Sequence, residues 1–261
     1  MKKNKTRNIK NTGIRALLFV SCVAFMTVSC EKTNSGVVEE KVDYWRPKAV
    51  EWVLDFEDNF DGNKVNEDNW SMYDGPGHGN NGWRRPGAFS VADGLLTITA
   101  QMINGDIVSG GMAHKKGYKY GKFEARVRAD DDPSLATNAV FLTWPDSEKW
   151  PIDGENNIWE TTTNRRDKFY TFVHYGADNK QYQKMHNISA KEWHVVAMEW
   201  EPYRLRILVD DKLQWTLTDS LAIPHNSHHA CLQLDAFAKT MGDPVKMYVD
   251  WIKVYRMVEK D

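Results

Sequence analysis

Between Val50 and Val258 the chain alternates apolar and polar residues in short runs, broken by Gly, Asn, Asp and Pro. Phe123, Ala125, Val127 and Ala129 alternate with Lys122, Glu124, Arg126 and Arg128. Successive side chains of a strand point to opposite faces, so this run predicts a half-buried strand. Leu96, Ile98 and Ala100 between Thr97 and Thr99 predict another, as do Leu205, Ile207 and Val209. Met247, Val249, Trp251, Lys253 and Tyr255 are expected to alternate with their neighbours along one more strand. The pairs Asp61-Gly62, Asp93-Gly94 and Asn104-Gly105 mark turns between runs. No stretch keeps a 3.6-residue period for three turns, and neither an internal repeat nor a low-complexity segment occurs. The pattern predicts one all-β domain over residues 50–258, most simply a two-sheet sandwich.

The first 29 residues read differently. Lys2, Lys3, Lys5, Arg7, Lys10 and Arg15 precede an apolar stretch from Ala16 to Met26, and no acid occurs among them. A basic head with a short apolar core predicts a signal peptide over residues 1–29. Its end, Met26-Thr-Val-Ser-Cys30, resembles a bacterial lipobox, although Thr27 stands where a larger apolar residue is usual. That resemblance implies acylation of Cys30; signal cleavage beside an incidental cysteine is the alternative. Residues 30–49 then form a lipidated N-terminus and polar linker. The implied location is the outer membrane or cell surface, with the periplasmic side left open.

Charge and cysteine use narrow the partners. Loss of six of the 34 basic residues with the signal leaves 28 against 36 acidic ones, a net charge of −8. Such a surface repels a nucleic-acid backbone, so no nucleic acid is expected as a partner. After Cys22 and Cys30 only Cys231 remains, which excludes an internal disulfide and a cysteine-ligated zinc. Apolar residues at 41% and charged residues at 27% are ordinary for a globular domain. Beyond residue 30 no apolar run reaches the roughly 20 residues of a membrane helix. The 11 tryptophans are out of proportion. They fit either wide packing in sheets or a groove whose indoles stack on a flat ligand.

The candidate chemistry lies in Trp150-Pro-Ile-Asp-Gly-Glu155-Asn-Asn-Ile-Trp-Glu160. Glu155 and Asn157 share a strand face, but Glu160 stands at an odd offset from Glu155 and a regular strand would turn it away. One extra residue, a β-bulge near Ile158-Trp159, brings it back. The two carboxyls then line one groove roughly 5–5.5 Å apart, the separation of a retaining glycosidase. Spacing alone favours two solvated surface glutamates over a catalytic pair.

These residues resemble the signature of glycoside hydrolase family 16, Glu-x-Asp-x-x-Glu after Trp-Pro-x-x-Gly. The resemblance extends to Phe56-Glu-Asp-Asn-Phe60-Asp61 with Trp70, to Tyr120-Gly-Lys-Phe-Glu-Ala-Arg126, to Trp193-His194 through Trp200-Glu201-Pro202, to Val209-Asp210, and to Val249-Asp250-Trp251-Ile252-Lys253-Val254-Tyr255. It implies a concanavalin-like β-jelly roll with a cleft for a polysaccharide. It also implies Glu155 as nucleophile and Glu160 as general acid/base. Asn157 departs from the family's Asp: its amide is expected to donate a hydrogen bond to Glu155 but cannot relay a proton. The bulged spacing is closer to laminarinases, agarases and carrageenases than to lichenases and xyloglucan enzymes.

Around the motif, Trp144 and Trp150 are expected to stack on sugar, whereas Trp159 fits the cleft or the core. His174, in line with Tyr170 and Phe172, is either a sugar contact or a satisfied structural histidine. Arg84 and Arg85 follow the loop Gly75–Trp83, which no helix follows, so it is no phosphate cradle. Their placement fits a solvated loop or a contact to an anionic sugar. His225, His228 and His229 read as a polar loop rather than a metal site. No cofactor is required and no metal is assigned, although the family resemblance admits a structural calcium with Asp250 as candidate ligand. The expectation is a monomeric, endo-acting, retaining hydrolase of a β-linked glucan or galactan. The competing expectation is a surface glycan-binding jelly roll without turnover, which Asn157 favours and the paired glutamates disfavour.

Overall fold

The computed structural model describes residues 49–162 and 165–260. The signal peptide, Cys30 and the linker up to residue 48 lie outside the described residues. The chain opens with β1 (Val50–Asp58), β2 (Trp70–Met72), β3 (Gly75–Pro76), β4 (Trp83–Arg84) and β5 (Phe89–Ala92). Four longer strands follow: β6 (Leu95–Ile103), β7 (Asp106–His114), β8 (Gly121–Ala129) and β9 (Thr137–Pro145). Next come β10 (Glu155–Glu160), β11 (Phe169–Tyr175), β12 (Lys180–His186) and β13 (His194–Glu201). The last four are β14 (Arg204–Val209), β15 (Lys212–Leu217), β16 (His228–Ala236) and β17 (Val245–Glu259). Among the described residues the only helices are two single 3₁₀ turns, His78–Asn80 and Pro86–Ala88.

The strands form two antiparallel layers. In the first, β17 pairs with β8 on one side and with β6 and then β1 on the other, while β13, β14 and β15 extend the sheet beyond β8. The second runs β2, β7, β16, β9, β10, β11, β12. The β6–β7 hairpin joins the layers: its turn, Asn104-Gly105, has both residues at positive φ (52° and 91°), the conformation for which Asn-Gly is selected. Asp93-Gly94 does the same between β5 and β6 (φ 53° and 73°).

The inner faces interlock into one core. Phe123, Ala125 and Val127 of β8, Val196 and Met198 of β13, and Leu205 and Ile207 of β14 are fully buried there, against Phe141, Leu232 and Val173 of the second sheet. Truncating a core aromatic such as Phe123 to Ala costs about 3–5 kcal/mol. The alternation expected along β17 holds only in part. Its register slips between Val249 and Trp251, so Ile252 and Val254 turn inward and Trp251 and Tyr255 do not. A one-residue bulge inverts every later side chain.

The tryptophans divide. Trp70, Trp159 and Trp200 are core residues. Trp70 donates to Asp58 Oδ2 at 2.8 Å and Trp200 to the Pro224 carbonyl at 3.0 Å, so neither buried indole N–H is left unpaired. Trp83 and Trp150 are exposed.

Candidate active site

The face of the second sheet turned away from the core carries a separate small apolar cluster, Val140, Leu142 and Cys231, with Trp144 packed on it. β10 lies beside this cluster. On its β9 side Asn157 faces Leu142 and Trp159 faces Phe141, so Ile158 is the extra residue and Glu160 falls opposite Val140. The bulge stands where the odd Glu155–Glu160 offset requires one. It sends Trp159 and Ile158 into the core and leaves Glu155, Asn157 and Glu160 together on the outer face. Glu155 is 9% exposed and Asn157 is 5% exposed.

Burial dominates the electrostatics. It pushes the Glu155 carboxyl up to about 7 against the opposing pull of donors from Trp150 and Asn157, with Asp235 adding a little repulsion. Glu160 is likewise pushed up to about 7 by burial and then by the charge of Glu155, against donors from Asn138 and Asn157 and the nearby His174. The two carboxyls titrate as a pair.

The hydrogen bonds around Glu160 correct one expectation. Asn157 Nδ2 donates to Glu160 Oε2 at 2.7 Å, not to Glu155 alone, so the amide serves both carboxyls. The other oxygen, Oε1, accepts from Asn138 Nδ2 at 2.6 Å. Asn138 was not foreseen, although it shares the alternation of Trp144 along β9 (positions 138, 140, 142, 144) and so was bound to share its face.

Trp144 and Trp150 lie nearly parallel, 9° apart with centroids 6.3 Å apart, and the Trp150 ring is 6.1 Å from that of His174. His174 stands opposite Glu155 across the ladder and shares a hydrogen bond with Asn179 Oδ1 at 2.9 Å. Both indoles and His174 therefore border the carboxyl pair. Trp159 does not.

Arg84 is no solvated loop residue. It lies on β4, and its guanidinium grips Asp235 at 2.6 and 2.9 Å and Gln233 at 3.1 Å. The ring of Tyr73 supports it at 5.4 Å. This pair neutralises a carboxylate next to the site, which suits a neutral ligand. Gln233 and Asp235 were also missed; they are the polar positions between Leu232, Leu234 and Ala236. Arg85 pairs with Asp74 and covers Trp83.

The histidines are likewise more structured than a polar loop. His228 and His229 are on β16; buried His228 contacts Thr143 and the Asp153 carbonyl, and His229 pairs with Asp146 at 2.8 Å. Only His225 is in a loop, bonded to Tyr120. Asp250 Oδ2 accepts from Arg126 Nη1 at 2.6 Å. Among the described residues no group of three or more His, Cys, Asp or Glu is arranged to hold a metal ion.

Comparison with known proteins decides the family. The model for glycosyl hydrolases family 16 matches residues 81–253, a span that includes all of β10. The chain belongs to glycosyl hydrolases family 16. It is a glycosidase, and its two-layer fold is the β-jelly roll of that family. A glucan endo-1,3-beta-glucosidase of Cryptopygus antarcticus is 30% identical over 190 residues, covering 63% of this chain and 69% of that protein. A beta-glucanase of Rhodothermus marinus is 27% identical over 259 residues, covering 81% of this chain and 88% of that protein. In fold, the laminarinase from Rhodothermus marinus superimposes with a TM-score of 0.71 at 24% identity, covering 80% of this chain and 99% of that one. Family members need no cofactor for catalysis.

Proposed function

We propose that this family 16 glycosidase is an endo-acting, retaining β-glucanase whose substrate contains β-1,3 linkages. The observation that carries this reading is the bulge at Ile158, which brings buried Glu155 and half-buried Glu160 onto one face beside paired indoles. The glucanase names of the similar proteins support the glucan over a galactan. The neutralised Arg84 supports an uncharged substrate.

In this reading Glu155 attacks the anomeric carbon while Glu160 passes its proton to the departing glycosidic oxygen. The C–O bond to the leaving sugar breaks and a glycosyl ester on Glu155 forms. Glu160, now ionised, takes a proton from water, whose oxygen displaces Glu155. Configuration is inverted twice and so retained. The indoles of Trp144 and Trp150 supply flat apolar surface for pyranose faces.

Reducing-end release across laminarin, mixed-linkage glucan, agarose and carrageenan tests the reading. Release from the glucans in mid-length fragments is expected. Release from the galactans alone would overturn the substrate, and binding without release on every polymer would favour the non-hydrolytic alternative that Asn157 suggests. We further propose that the enzyme is an acylated surface lipoprotein anchored through Cys30, on the lipobox-like text before it.

A further inference from the structure

Glu160 is held by two amides, and their other ends differ. Asn157 Oδ1 is buried with no hydrogen-bond partner. Asn138 Oδ1 accepts from the Thr161 hydroxyl at 3.3 Å, and that hydroxyl oxygen is itself fixed by the Ala139 N–H at 2.9 Å. The hydroxyl proton is shared with the Thr162 carbonyl, also at 3.3 Å. Turned the other way, the Asn138 carbonyl oxygen would face a carboxylate oxygen only 2.6 Å distant. Asn138 is therefore a donor in one direction only. It is nearly fully buried, on a strand paired on both sides, so water has little room to replace it.

We propose that Asn138, oriented by Thr161, is a positioning residue that sets how readily Glu160 releases its proton. This rests on the reading of Glu160 as acid/base. Each Glu160 oxygen accepts one amide, and a remaining lone pair is left for the proton that goes to the glycosidic oxygen. When that proton leaves, the charge-assisted bond from Asn138 strengthens. The same bond holds Oε1 still while Glu160 later takes a proton from water. Without Asn138 the ionised state loses a donor and the proton is retained to higher pH.

The groups that face Glu160 are Glu155 and Asn157 on its own strand, Tyr170 and His174 on β11, and, past Val140, Gln233 and the Asp235–Arg84 pair. None of these changes in the variants below, so a shift in the alkaline limb belongs to Asn138.

The test reads the pH profile of kcat/KM on a polysaccharide and the Glu160 pKa by carboxyl carbon NMR, in wild type, Asn138→Leu and Thr161→Val. The NMR arm needs no turnover, so it stands even where the hydrolytic reading fails. Asn138→Leu is expected to move the alkaline limb and the Glu160 pKa up by about half to one pH unit. Thr161→Val should move both the same way by less, and Thr161→Ser, which keeps the hydroxyl, should hold them near wild type. Should Asn138→Leu not fold, the Thr161 pair decides alone. A lowered rate with an unmoved limb and an unmoved pKa would make Asn138 merely structural and overturn the proposal.

Discussion

Glu155 shows how burial tunes a single residue. An unfolded glutamate titrates near its usual 4.5, whereas the folded carboxyl is pushed up to about 7 by burial. Between those values the native state binds more protons than the unfolded one. The resulting stability is complete below the unfolded pKa and is lost as pH rises through the folded one. A neutral glutamine has no such dependence. Glu155→Gln should therefore melt above wild type at pH 8, by the equivalent of about 1–3 kcal/mol, with the gap closing toward pH 5. Calorimetry across that range reads it. A gap independent of pH would mean that the carboxyl is not held out of water.

At the scale of the element, β10 is aimed from its first residues. Gly154 precedes Glu155 at φ +86°, and a Cβ there would stand 2.7 Å from Pro224 and 3.2 Å from the His174 carbonyl. The left-handed backbone and the close ring together require glycine. Gly154→Ala should cost roughly 1–3 kcal/mol. It should also lower kcat/KM at least about tenfold, because the entry to the carboxyl strand must move. Denaturant melts and initial rates measure both, and a variant with native kcat/KM would show that the aim of β10 does not depend on this turn.

Legibility from sequence divides along the same line. Strands that keep strict alternation, such as β8 and β6, were readable because one face is core and the other is not. The bulge in β10 was readable only because a known spacing of glutamates demanded it. That in β17 carried no such mark, and Trp251 and Tyr255 were placed on the wrong face. Trp144 and Trp150 were found through their neighbours in the motif. Gln233 and Asp235 come from β16, distant in sequence and brought beside β10 by sheet pairing that no local pattern encodes, whereas Asn138, on the strand just before β10, lay in the alternation of Trp144 and was overlooked. Arg84 looked solvated because its partner, Asp235, is 151 positions away.

For the whole molecule, two expectations concern where it works and what it does. If Cys30 is acylated, Cys30→Ala should shift the protein from the membrane fraction to the soluble one, since two or more acyl chains anchor stably where one does not. Unchanged fractionation would remove the lipoprotein reading and leave the glycosidase intact. The division of labour between Glu155 and Glu160 is the central claim, and one comparison tests it most directly. Glu160→Gln is assayed on polysaccharide and on an aryl glycoside whose leaving group departs without protonation. The account predicts that polysaccharide cleavage is lost, while the aryl substrate still gives a rapid first release of phenol followed by slow turnover. Equal loss on both substrates would contradict it.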